Sequence, residues 1–317
     1  MNPTLRVRRW LLVLLVLVGV GCERAPAPRT TPLVVASFYP LYEFARQVAG
    51  DRAEVVSLVP AGVEPHDWEP SPQDVARVRQ AALFVYNGAA LEPWAKTLVK
   101  NVGSAELVVV NATEGLALLP AGGPAHDDSR GKSKDEPGGA EAAQDPHVWL
   151  DPVLAQAQVE VIRAALAKAD PAQAEQYASN ARAYRERLAA LHAKFERGLS
   201  RCARREIIVS HVAFAYLAKR YGLTMVSVAG LAPEAEPSPA HLASLVRFAR
   251  RHKVEYIFFE TLVSPKLAEA LAREVGARTL VLNPIEGLTP EEAAAGKDYV
   301  ALMEQNLENL RTALACR

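Results

Sequence analysis

The sequence predicts an α/β protein made of two parallel-sheet lobes joined by a long rigid helix. Three observations predict it. Short runs rich in Val and Leu alternate with helical patterns on both sides of the chain's middle, as strands do when a parallel sheet is covered on both faces. Between the two alternating regions, Pro171 to Leu199 runs without a helix breaker, and about 29 residues of helix span roughly 43 Å. The run Glu69-Pro70-Ser71-Pro72 returns as Glu236-Pro237-Ser238-Pro239 at the matching place in the second half, which points to an internal duplication.

The elements follow in order. Arg6, Arg8 and Arg9 precede an apolar run from Trp10 to Val20, too short to span a bilayer and patterned as an export signal over residues 1–21. Gly19-Val20-Gly21-Cys22 reads as a lipobox that would acylate Cys22. Gly19 stands where such boxes usually carry Leu, so secretion with cleavage nearby is the alternative. Residues 22–32 are polar and Pro-rich and read as a tether. The expected location is the periplasm or the outer face of the cytoplasmic membrane.

The first lobe, residues 33–151, has strand-like runs at Leu33–Pro40, Ala53–Pro60, Leu83–Gly88 and Glu106–Asn111, with helical patterns such as Leu41–Ala49 and Ser71–Ala82 between them. Its stretch 121–144 is rich in Gly, Asp, Lys and Glu and reads as a flexible surface loop. The connection, residues 152–200, holds a helix from Pro152 to Lys168 and then the long helix, which Asp170 is expected to cap with Pro171 in its first turn. The second lobe, residues 201–317, has strands at Glu206–Ser210, Thr224–Ala229, Val254–Phe259 and Thr279–Leu282. Helices at 213–222, 238–252 and 264–275 separate them, and a final helix runs from Pro290.

Charge narrows the function. Without Arg6, Arg8 and Arg9, 33 basic residues face 36 acidic ones, a formal net charge of −3. No basic stripe marks a nucleic-acid surface. Cys202 and Cys316 are the remaining thiols besides Cys22; in an oxidising compartment they are a candidate disulfide, with two buried free thiols as the alternative.

Three of the seven histidines stand apart by position. His66 and His211 follow strands, where open parallel sheets gather ligands, and His147 lies in the connection returning from the polar stretch. Neutral imidazoles suit zinc, and Glu286, just beyond the last strand, would complete a tetrahedron with two donors from each lobe. Spacing alone does not bring such distant residues together, and a histidine after a strand serves equally well as a capping residue. His192, His241 and His252 read as structural.

Together, Val63–Pro72, Asp145–Pro152, Val209–Phe214 and Leu282–Thr289 resemble the motifs of the solute-binding proteins of bacterial zinc and manganese ABC importers, the ZnuA-, AdcA- and TroA-like family of cluster A-I. The similarity runs from about residue 33 to the C-terminus. It implies two α/β lobes with the metal in the cleft between them, Zn2+ as the transported ligand and an ABC permease in the cytoplasmic membrane as partner. It further implies a monomeric binding protein, lipid-anchored where Cys22 is acylated, and no enzymatic activity. His66, His147 and His211 match the three histidine ligands of zinc-selective members, whereas manganese-selective members usually have a carboxylate at the position of His211. Many relatives place an Asp ligand near Asn283; this sequence follows the branch whose Asn-Pro-Leu-Glu-Gly motif supplies the Glu, here Glu286. Zinc-binding relatives often have a histidine-rich loop at 121–144; this one holds only His126, beside Asp127 and Asp128, and reads as a solvated acidic loop. A manganese- or iron-binding homologue and a surface adhesin with a retained site are the alternatives. A zinc hydrolase fits less well, because the sequence lacks His-Glu-x-x-His and Gly-x-Ser-x-Gly and because Glu286 would take the position of the catalytic water.

Overall fold

A computed structural model describes residues 31–121 and 144–317. The export signal, Cys22, most of the tether, His126 and the body of the 121–144 stretch lie outside the described residues. Among the described residues, no helix is long and apolar enough to cross a membrane.

Two four-stranded parallel sheets form the frame. The first contains β1 (Leu33–Ala36), β2 (Glu54–Ser57), β3 (Leu83–Tyr86) and β4 (Val108–Asn111) in the order β2-β1-β3-β4. The second contains β5 (Glu206–Val209), β6 (Thr224–Ser227), β7 (Tyr256–Phe259) and β8 (Arg278–Val281) in the order β6-β5-β7-β8. The same order in both halves agrees with the repeated Glu-Pro-Ser-Pro run. Ser71 and Ser238 from those runs cap equivalent helices, α2 (Pro72–Arg79) and α7 (Pro239–His252), each with proline in its first turn.

Side chains alternate across each sheet. Val34, Ala36, Leu83 and Val85 face inward, with Ile207, Val209 and Phe258 of the second sheet, and one apolar core runs between the lobes. Val35 and Phe84 point to a second core under α2 and α3 (Ala95–Val102). Ile208 and Ile257 point to a third, under α7 and α8 (Lys266–Val275). The central strands are thus covered on both faces, as their continuous apolar runs predict.

The shared core is built on α1 (Tyr39–Ala49), α4 (Pro152–Ala169), α5 (Ala174–Leu199) and α10 (Tyr299–Leu314). Helix α5 buries Tyr177, Ala181, Tyr184, Leu188, Leu191, Phe195 and Leu199, an i, i+3, i+4 stripe. It is the predicted long helix with 26 residues, its first turn replaced by a 3-10 turn at Pro171–Gln173. The expected cap is corrected here: Asp170 ends α4 and its carboxylate accepts the Tyr177 hydroxyl at 3.0 Å.

Two other expectations shift for local reasons. The first strand stops at Ala36 because α1 begins at Tyr39 with Pro40 in its first turn. The final helix is two helices, α9 (Pro290–Ala294) and α10, separated by Gly296 at φ +65° and restarted by the Asp298 cap. Helix α6 (Ala215–Tyr221) completes the second lobe. Cys202 and Cys316 form a disulfide that ties the start of that lobe to its end.

Candidate metal centre

Four side chains from distant parts of the chain meet between the sheets: His66, His147, His211 and Glu286. His66 sits in the loop after β2, its backbone N–H donating to the Glu64 carboxylate at 3.0 Å. His147 opens a 3-10 turn, Val148–Leu150, and its N–H donates to Asp145 Oδ1 at 3.0 Å. His211 follows β5 directly, with its N–H on Glu260 Oε1 at 3.2 Å. Glu286 follows Ile285, which holds φ +58°, a conformation β-branched residues rarely adopt. Asn283 Oδ1 accepts the Ile285 N–H at 2.8 Å and stabilises that bend. Asn283 has this structural part and is not among the four.

Two further carboxylates orient the rings. Asp145 Oδ1 lies 2.8 Å from His147 Nδ1, and Glu260 Oε1 lies 2.7 Å from His211 Nδ1. Each ring therefore donates Nδ1–H outward and turns Nε2 inward, bare when the ring is neutral. The two Nε2 atoms lie 3.3 Å apart. Glu286 Oε1 is 3.1 Å from His147 Nε2, 3.4 Å from His211 Nε2 and 3.4 Å from His66 Nε2. A tetrahedral zinc with bonds of about 2.0–2.1 Å has ligand-to-ligand edges of about 3.3–3.4 Å. Four of the six edges among the donor atoms stand close to that spacing, a crowding of nitrogen and carboxylate lone pairs that a bound cation or protons on the imidazoles make favourable. Glu286 Oε2 is also buried without a hydrogen-bond partner.

The electrostatics agree. Burial pushes the Glu286 carboxyl up, but the charge on His211 and the bonds from His147, His211 and His66 hold it well below its usual value. Burial pulls His147 and His211 down, and their carboxylate partners outweigh it, so both rings bind protons more tightly than an ordinary histidine. Burial, then the charge on Glu286, pushes Glu64 up to about 8. His147, His211 and Glu286 are essentially closed to water, whereas the His66 side chain is 11% exposed. His66 therefore lies on the accessible side.

All four sequence-predicted donors converge. The His147 segment is bonded to both lobes. Trp149 Nε1 donates to Pro284 O at 2.7 Å, and the Tyr299 hydroxyl donates to Trp149 O. Arg220 pairs with Asp151, which also caps α4. The Trp149 ring centroid lies 5.3 Å from that of His147, while Trp68 packs against Trp94. His192 contacts the Tyr221 hydroxyl, His241 the Ser227 carbonyl and His252 the Phe248 ring, all structural. Sequence reasoning missed Asp145 and Glu260. Asp145, two residues before His147, carried a usable signal. Glu260 carried a weaker one, its place at the end of β7 beside β5.

Residues 34–313 match the family described as zinc-uptake complex component A, periplasmic. The chain is 43% identical over 281 residues to the high-affinity zinc uptake system protein ZnuA of Bacillus subtilis, covering 89% of this chain and 87% of that protein. It is 42% identical over 278 residues to the zinc-binding lipoprotein AdcA of Streptococcus pneumoniae, covering 88% of this chain and 55% of AdcA, so it spans about half that relative's length. The crystal structure of the Zn(II)-bound ZnuA-like domain of Streptococcus pneumoniae AdcA superposes with a TM-score of 0.75 at 39% identity, over 90% of this chain and 99% of that one. By sequence and by fold, this chain belongs to the ZnuA family.

Proposed function

We propose that the protein is the extracytoplasmic zinc-binding component of an ABC-type zinc importer, a binding protein and not an enzyme. His66, His147, His211 and Glu286 hold the transported Zn2+, and the loaded protein delivers it to the permease in the cytoplasmic membrane. The observation that carries this reading is the convergence of three imidazole nitrogens on one carboxylate oxygen, at 3.1 to 3.4 Å. Three nitrogens and one carboxylate suit zinc, whereas oxygen-rich sets suit manganese. Glu286 takes the corner where catalytic zinc sites keep water. The remaining assignments belong to the same proposal: residues 1–21 direct export, acylated Cys22 and residues 22–32 tether the monomer to the membrane, and residues 33–151 and 201–317 form the lobes around the 152–200 connection.

The test is metal analysis of the untagged mature protein after equal exposure to zinc and manganese. A single zinc per chain and negligible manganese are expected, with zinc lost in His211→Ala. Equal retention of both metals overturns the zinc assignment.

A further inference from the structure

The Asp145–His147 turn is gripped from two sides, and we propose that Asn87 and Tyr216 are positioning residues for His147, so that both lobes jointly set where its ring stands. The proposal rests on the reading of His147 as a zinc ligand.

From the first lobe, Asn87 Nδ2 donates to Pro146 O at 2.9 Å. Its amide orientation follows from its partners, because Asn87 Oδ1 accepts Gln158 Nε2 at 3.0 Å. The loop carrying Asn87 is strained: Gly88, Ala89 and Ala90 hold φ of +77°, +50° and +66° in succession. Such backbone persists only where its surroundings hold it. The hold is the buried Glu92 carboxylate, which accepts the N–H groups of Asn87 and Gly88 and the hydroxyl of Ser37. From the second lobe, the Tyr216 hydroxyl on α6 donates to Asp145 O at 2.7 Å. It also accepts the Leu119 N–H at 2.9 Å, and Leu119 O accepts the Asp145 N–H at 2.8 Å.

The two grips fall on adjacent carbonyls, one from each lobe. His147 hangs from the same turn by its own N–H and Nδ1, both on Asp145 Oδ1. Asn87 and Tyr216 are buried, so water does not replace a lost bond, and a displacement of either lobe reaches the imidazole through a single residue.

Tyr216→Phe removes one hydroxyl and keeps the ring. Tyr216 holds the turn and not the ring itself, so the expected change is a rise in zinc Kd, by chelator competition, smaller than the about 10–100-fold that follows loss of a ring's direct partner. Tyr221→Phe, which removes a hydroxyl on His192 at 3.1 Å, is the control and leaves zinc affinity unchanged. The decisive readout is the pair of imidazole Nδ1–H proton resonances of the zinc-loaded protein, assigned through Asp145→Asn and Glu260→Gln. In Tyr216→Phe the His147 resonance shifts and exchanges faster while that of His211 stays. Unchanged affinity, or equal disturbance of both resonances, overturns the proposal. Failure of the wild-type protein to bind zinc overturns instead the functional reading beneath it. Should Tyr216→Phe not fold, Asn87→Ser, too short to reach Pro146 O, carries the same test.

Discussion

Opening the Cys202–Cys316 bridge and removing zinc are expected to lower stability by nearly equal amounts. The bridge joins residues 114 apart, enclosing β5 to β8 and the helices between them. Closing a loop of that length removes about 16 cal/mol/K from the unfolded chain, or about 5 kcal/mol at 25 °C. Zinc at about 1,000 times its Kd stabilises the folded state by about 4 kcal/mol. The double variant Cys202→Ser, Cys316→Ser should therefore melt about 10–20 °C below the wild type when both are metal-free, at about 2–4 °C per kcal/mol. Adding zinc to the variant at that excess should restore most of the loss, bringing it close to the metal-free wild type. Scanning calorimetry of the four states, without a thiol reductant that would compete for zinc, measures each shift. A variant that melts with the wild type would refute the loop-entropy argument. A variant that zinc does not rescue would refute the mass-action argument for zinc.

Three further outcomes are expected. His147 and His211 are raised above 6.5 and Glu286 is lowered below 4.5 in the metal-free fold. The histidines stabilise that fold below 6.5 and lose the effect as pH rises through their raised values, while Glu286 stabilises it above 4.5 and loses the effect on acidification. The metal-free protein should therefore melt higher at about pH 6 than at about pH 8.5, and the zinc-loaded protein should show the reverse because protons compete for the imidazoles; parallel trends in two melting series would contradict this. Glu286→Ala should weaken zinc binding less than His66→Ala and speed release, since water can complete a three-histidine zinc site; stopped-flow release into a chelator decides the order. Glu260→Gln should cost about 10–100-fold in zinc affinity by loosening the hold on His211 Nδ1, and an unchanged Kd in a folded variant would remove Glu260 from the site's support.

The sheets were legible because central parallel strands such as Val34–Ala36 and Ile207–Val209 are buried on both faces and read as continuous apolar runs. Helix starts at Ser71 and Ser238 were legible because Ser-Pro is both cap and first turn. Asp170 misled for a physical reason. An aspartate before proline has the composition of a cap, yet its carboxylate was taken by Tyr177, one turn into α5. The four candidate donors were legible one by one, but their meeting was not, because no local pattern encodes a distance between loops of different lobes. Only the joint resemblance of four motifs supplied it. Asp145 and Glu260 were missed because a carboxylate that orients a ring and one that is merely solvated look the same until the hydrogen bond is seen. The double attachment of His147 was likewise invisible, since Asn87 and Tyr216 lie far from it along the chain.

One feature of the fold has a use in engineering. Pro120 and Gln144 form an isolated antiparallel bridge, and the Asp145 N–H closes onto Leu119 O. The chain leaves and re-enters the body at neighbouring points, three residues ahead of His147. Folded domains whose termini lie close together are accepted at such sites. A circularly permuted fluorescent protein spliced between Pro120 and Gln144 would sit on the same turn that carries His147. Emission that changes on adding zinc would report a change at that turn, making the scaffold a genetically encoded indicator.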